Sequence, residues 1–283
     1  MISLLLTTAC VYSQLLYQVS SKQTRSKSYI FATNKLAPIS LIDSVENIYK
    51  VYSKCDVLIT EMKLNDSISS TLLSYAVLPD SVNLHQIYSI DEYSQINQQI
   101  FLVLKQPLDQ LASIRPAYLT QLYRNQLLAD RLNYDPNESL ENFFQTVAQQ
   151  QGKSIIALDS PFETLHYTFH REPEYYQNQE LLRITRFPER EIELEEHLLK
   201  LYRQGNLLDM AYYITRPDNQ STFSFSDYQV LAKRNTTWVK RLTPYINSGN
   251  AFICVDACLL GGDKGLLAAL RAAGFRVRAV NRR

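Results

Sequence analysis

The sequence predicts an α/β fold, with a mostly parallel central sheet, two strand-loop-helix-strand units at its ends and a helical insertion between them. Three observations carry this. Near the start, the apolar run from Ser28 leads through Ala32-Thr33-Asn34-Lys35 and a helical stretch to Cys55-Asp56-Val57-Leu58-Ile59-Thr60-Glu61. Near the end, Ala251 to Val255 leads through a loop, Asp256 to Gly262, and the helical stretch Lys264 to Arg271 into Phe275 to Val280. Between them, Lys153 to Leu158 is a short apolar run bounded by Gly152 and Pro161. Continuous apolar runs of this length suit parallel strands covered on both faces. Loops that follow such strands emerge at the carboxyl edge of the sheet, where open α/β sheets carry their sites.

Taken in order, Leu15 to Val19 reads as a short edge strand and Ser20 to Lys27 as a polar turn. The first unit fills Ser28 to Glu61. From Asn65 to Gln151 the spacing is helical, with Asp66 and Ser67 as caps and Pro116 opening a helix over Ala117 to Leu132. Asp135 to Ser139 is a turn, and Leu140 to Gln150 carries the next amphipathic helix. After the middle strand come a helical Glu163 to His170 and a Tyr/Gln-rich stretch from Pro173 to Glu180. Two long helices follow, Glu189 to Ile214 and Ser226 to Tyr245, the second opened by the capping-box spacing Ser226-x-x-Gln229. With no linker and no low-complexity segment, residues 14–283 read as one domain with an insertion over about 65–151.

The first thirteen residues are uncharged and mostly apolar or small, ending Val11-Tyr12-Ser13. That is the pattern of a secretory signal with cleavage before Gln14, although a basic start is missing. The expectation is an exported protein of the periplasm or cell envelope. Beyond that stretch stand Cys55, Cys254 and Cys258, an odd number that implies no disulfide framework.

The 283 residues carry a net charge of +1, with 20% charged and 46% hydrophobic residues. This balance argues against a nucleic-acid partner, and no run is long and apolar enough to span a bilayer. There is no Gly-rich phosphate loop and no Gly-x-Ser-x-Gly elbow. The nineteen tyrosines are spread along the chain and mark half-buried helix faces.

Several short motifs in order resemble the TraB/GumN family, which includes the Tiki-type metalloproteases. The resemblance runs through Leu16-Tyr17-x-Val19, Ser28 to Thr33, Cys55 to Glu61, Ala157-Leu158-Asp159 and Tyr202-x-x-Gly205. It is densest at the end, in Arg234-Asn235, Trp238, Val255-x-Ala257, Leu260-x-Gly262, Lys264 to Leu266, Leu270-Arg271 and Gly274-Phe275-x-Val277. The family implies an α/β fold and a divalent-metal hydrolase site with one histidine in each end loop. Here the first loop reads Ala32-Thr33-Asn34-Lys35 where the family has Gly-Thr-x-His. The last reads Asp256-Ala257-Cys258-Leu259-Leu260 where the family has Gly-Ala-Gly-His-Leu. Lys35 and Leu259 thus stand where the resemblance implies metal ligands. Lysine adds a positive charge there, and leucine has no donor atom.

Glu61, the surviving carboxylate, is the candidate catalytic residue. Lys35, Asp159, Arg234, Asn235 and Asp256 are the candidate binding residues, with Lys35 and Glu61 expected to pair across adjacent strand ends. A second metal-like spacing, Glu163-x-x-His166-x-x-x-His170, puts three donors on one helix face. It lacks the Glu directly after the first His that a zinc-protease helix needs, and two surface histidines beside Glu163 and Arg171 are the plainer reading. The resulting expectation is an exported protein with a degenerate metal-hydrolase site, no cofactor, and a binding or scaffold role toward a peptide or small molecule. Two alternatives stand beside it. One is an active hydrolase using zinc, manganese or cobalt with altered ligands around Glu61; the other is a small-molecule carrier.

Overall fold

The computed structural model of the chain describes residues 14–22, 24, 27–63, 74–135, 138–169, 173–215 and 225–280. The candidate signal segment, the caps at Asp66 and Ser67, and His170 lie outside the described residues. In chain order the elements are β1 (Leu16–Ser20), β2 (Ser28–Thr33), α1 (Ile48–Ser53), β3 (Val57–Thr60), α2 (Leu84–Ile87), α3 (Ile90–Leu104), α4 (Pro116–Leu132) and α5 (Leu140–Gln150). There follow β4 (Ser154–Ala157), α6 (Pro161–Phe169), α7 (Glu174–Arg186), α8 (Pro188–Arg203), α9 (Leu207–Ile214) and α10 (Phe225–Ser248). The chain closes with β5 (Ala251–Asp256), α11 (Ala257–Leu260), α12 (Leu266–Ala272) and β6 (Arg276–Ala279).

All six strands form one sheet in the order β4-β3-β5-β2-β1-β6. β2, β5, β3 and β4 are mutually parallel neighbours, so the two terminal units share one sheet as expected. The end loops are adjacent as well, because Thr33 and Asp256 are register partners in the β2–β5 pair. β1 is not an edge strand. It lies between β2 and β6 and is antiparallel to both, which leaves β6 at the edge. Its buried Leu16, Tyr17 and Val19 fit an interior position, and a short strand gives no local sign of having partners on both sides.

Two helix expectations change. The long helix read over Glu189 to Ile214 is two, because Gly205 adopts φ +67° and ends α8. Asn206 then caps α9 by accepting from the Asp209 N–H. Glycine in the left-handed region after a last turn is the usual stop signal. The Tyr/Gln-rich stretch after Pro173 is the start of α7, whose buried face holds Gln177, Leu181, Leu182 and Ile184. The long α10 runs past Pro244 to Ser248.

β5 is buried along Ala251 to Val255, so it is covered on both faces. On one face Phe252 meets Phe144 of α5 at 4.9 Å between ring centroids and Tyr52 of α1 at 5.1 Å. Phe31 of β2 joins the same cluster, 5.6 Å from Phe144 in an edge-on contact. This main core also takes in Trp238 and Leu242 of α10 and Leu266 and Leu270 of α12. A second core is helical, built from Ile96 and Ile100 of α3, Tyr123 and Leu127 of α4, Leu181 of α7 and Ile192 of α8. The helices between β3 and β4 therefore divide, with α3 and α4 in the helical core and α5 against the sheet.

Candidate functional site

Glu61 follows directly on β3, Asp159 follows β4 by one residue, and Asp256 ends β5, so three carboxylates emerge at one edge of the sheet. Their partners come from two helices. On α10, Arg234, Trp238 and Arg241 are spaced i, i+4, i+7 and share one face. All three converge on Asp159, whose side chain is only 2% exposed. Trp238 Nε1 donates at 2.6 Å, and Arg234 approaches at 2.8 Å through Nε and 2.7 Å through Nη2. Arg241 stands 3.4 Å away and also donates to the Leu158 carbonyl. The same Arg234 reaches Glu61 Oε2 at 3.0 Å, and its guanidinium lies 4.2 Å from the centre of the Trp238 ring.

The second helix is α5. Glu141 accepts the Glu61 N–H at 3.1 Å, while Gln145, one turn on, donates to the Met62 carbonyl at 3.0 Å. This i, i+4 pair clamps the turn after β3 and fixes where Glu61 points. The remaining Glu61 oxygen accepts the Asp256 N–H at 2.8 Å. Both oxygens of Glu61 are thus held, one by a guanidinium and one by a backbone amide.

Asp256 is the cap of α11, accepting the Cys258 N–H at 2.8 Å. Burial pushes its carboxyl up to about 6, and the Glu61 charge adds to the rise. Burial also pushes Glu141 up to about 8, again helped by the charge of Glu61. Three carboxyl groups share this corner, and two of them favour their protonated form because desolvation and mutual repulsion both oppose ionisation.

Lys35 does not pair with Glu61. Its amine lies 3.4 Å from Glu195 of α8, and its charge acts to lower the pKa of nearby Asp256. Arg234 takes the place beside Glu61 that was expected for Lys35. Near Lys35, the Tyr202 hydroxyl donates to the Ala32 carbonyl at 2.8 Å and holds α8 against the end of β2. Asn235 is fully buried and works on the last loop, donating to the Lys264 carbonyl at 2.8 Å and to the Leu259 carbonyl at 3.4 Å. Leu259 itself packs into the main core.

Glu163 is part of a different arrangement. With Ser160 it forms a reciprocal cap at the start of α6, the Ser160 and Glu163 N–H groups donating at 2.8 and 3.2 Å. Arg241 grips the same carboxylate at 2.7 and 3.0 Å, and this bidentate pair holds it at about 2, well below the usual carboxylate range. His166 is exposed and lies beside Phe162. Among the described residues no group of three or more His, Cys, Asp or Glu side chains could hold a metal ion.

Sequence reasoning missed Glu141, Glu195 and Arg241. Arg241 had a signal, since it repeats the face of Arg234 and Trp238 one turn further along. Glu141 and Gln145 carried the same kind of spacing, but nothing local marked what they would clamp. Glu195 was one charge among several along α8.

Compared with known families, the chain matches the model of the TraB/PrgY/gumN family over residues 15–279, nearly its whole length. Comparison with curated proteins and with solved structures returns no match.

Proposed function

The chain belongs to the TraB/PrgY/gumN family, and from that premise we propose an exported protein whose metal-hydrolase chemistry has given way to a binding role. The observation that carries this reading is the state of Glu61. A carboxylate with one oxygen on a guanidinium at 3.0 Å and the other on a backbone amide at 2.8 Å is already charge-matched and positioned by protein groups, and a metal would have to compete with Arg234 for it. Arg234 supplies the positive charge that a divalent ion would otherwise supply there. The rest of the donor set is equally unsuited. Lys35 brings a cation engaged with Glu195, Leu259 has no ligand atom in its side chain, and Glu141, raised to about 8, favours its protonated form near neutral pH.

Metal analysis of protein purified without chelator tests this. The expected result is no stoichiometric zinc, manganese or cobalt. One equivalent of metal that disappears in Glu61→Ala would sink the degenerate-site reading and favour an active hydrolase with altered ligands. Export is supported by the uncharged apolar stretch ending at Ser13. N-terminal sequencing of protein produced from the full-length gene should find Gln14 first, and an intact Met1 on cytosolic protein would overturn it.

A further inference from the structure

We infer that the outer edge of β4 and the cleft at its carboxyl end form one site, which takes the C-terminal segment of an extended peptide. The inference deepens the binding role proposed above and rests on it. β4 is the last strand of the sheet on its side. Its bonds to β3 use alternate residues, as in the Leu158 N–H to Thr60 carbonyl bond of 2.8 Å just past its end. Alternation turns the N–H and C=O groups of Ile155 and Ala157 away from β3. Both residues are only half-buried, and among the described residues neither group set has a hydrogen-bond partner on that outer side.

The two edges of the sheet differ. β6 carries exposed Arg276 and Arg278, the kind of charge that discourages strand addition. β4 reads Ser154-Ile155-Ile156-Ala157 with no charge, and the Lys153 ahead of it turns inward to the carbonyls of Tyr52 and Cys55. An added strand therefore meets open backbone groups and no repulsive side chain.

At the carboxyl end of β4 lies a cleft of about 350 Å³, lined by Met62, Lys63, Asp159, Pro161, Glu163 and Arg241 among others. Its carboxylates are already matched, Asp159 by Arg234 and Trp238, and Glu163 by Arg241. Lys63 is exposed and makes no ion pair among the described residues. A peptide added parallel to β4 extends the parallel sheet and brings its last residue into this cleft, with the terminal carboxylate near Lys63. An antiparallel peptide would bring a cationic amino terminus there instead, against a like charge. Met62 and Pro161 offer the last side chain an apolar wall.

The probe is the synthetic peptide acetyl-Thr-Val-Thr-Val-Leu with a free carboxylate, followed by calorimetry in buffer with and without chelator. Recognition through backbone groups makes a generic β-forming sequence sufficient. The free acid should bind, its C-terminal amide should bind severalfold to about tenfold more weakly, and Lys63→Gln should erase that difference. N-methylating one alternate set of peptide nitrogens should abolish binding, while methylating the other set should not. Absence of binding up to about 1 mM, equal affinity of acid and amide, or equal tolerance of both methylated sets overturns the inference. The chelator arm tests the metal-free reading separately: that reading fails if chelator abolishes binding, whereas the peptide site fails on the discrimination between peptides.

Discussion

The guanidinium of Arg234 stands 3.0 Å from the carboxylate of Glu61 and, through the same nitrogen, 2.7 Å from that of Asp159. One cation on α10 thereby joins the ends of β3 and β4 to the helix that crosses them. The three side chains are 14%, 17% and 2% exposed, so the carboxylates have little water to fall back on.

Arg234→Met should therefore be costly. It leaves two partly or fully buried carboxylates short of a partner, a defect worth about 3–5 kcal/mol. Urea unfolding of this variant should show that loss, and adding Glu61→Gln and Asp159→Asn should recover most of it. A loss below about 1 kcal/mol would mean that Arg241 and Trp238 satisfy Asp159 unaided.

Stability should fall as pH rises through the neutral range. Asp256 and Glu141 bind their protons more tightly in the folded chain, with values raised to about 6 and about 8 from 3.8 and 4.5. A raised folded value gives stability that is fully present below the unfolded value and lost as pH rises through the folded one. Glu163 has the opposite sign, and its contribution is lost only as pH falls toward about 2. Melting temperature should decline from about pH 4 to about pH 8, and Glu141→Gln should flatten the upper half of that decline. An identical slope in the variant would show that Glu141 does not titrate there.

Gly261→Ala should destabilise the last loop. A Cβ at Gly261 would lie 2.0 Å from the Leu207 carbonyl oxygen at the start of α9. Backbone has to move to relieve that contact, at a cost of about 1–3 kcal/mol or more. Thermal unfolding measures it, and an unchanged melting temperature would show that α9 yields freely.

In the helical core, buried Arg124 of α4 lies 2.5 Å from Glu191 of α8 and 3.2 Å from Glu180 of α7, with Arg183 closing the square. Glu191→Leu alone should cost about 3–5 kcal/mol, because it leaves buried Arg124 and half-buried Arg183 to share Glu180 as their one remaining ion-pair carboxylate among the described residues. Arg124→Met together with Glu191→Leu should cost much less. Chemical denaturation of the two variants separates them, and equal losses would assign the cost to packing.

The sequence by itself determined the strands and most helices, because their signals are local. Val57 to Thr60 and Ala251 to Val255 are apolar runs that suit strands covered on both faces, whereas Ser154 to Ala157, read the same way, is a half-buried edge strand because nothing local tells an apolar run that it has a neighbour on one side only. The helix over Leu140 to Gln150 and the one opened by Pro116 were legible from spacing and caps. Placement of Glu61, Asp159 and Asp256 near one edge followed from parallel topology alone. What only the tertiary structure decided was which charges meet there. Lys35 lies with Glu195 and Glu61 with Arg234, and no local pattern ranks those pairings over the reverse. β1 lies inside the sheet for a similar reason, since its second partner, β6, comes from the far end of the chain. Periodicity is written within a few residues, whereas an ion pair or a strand neighbour depends on where distant segments come to rest.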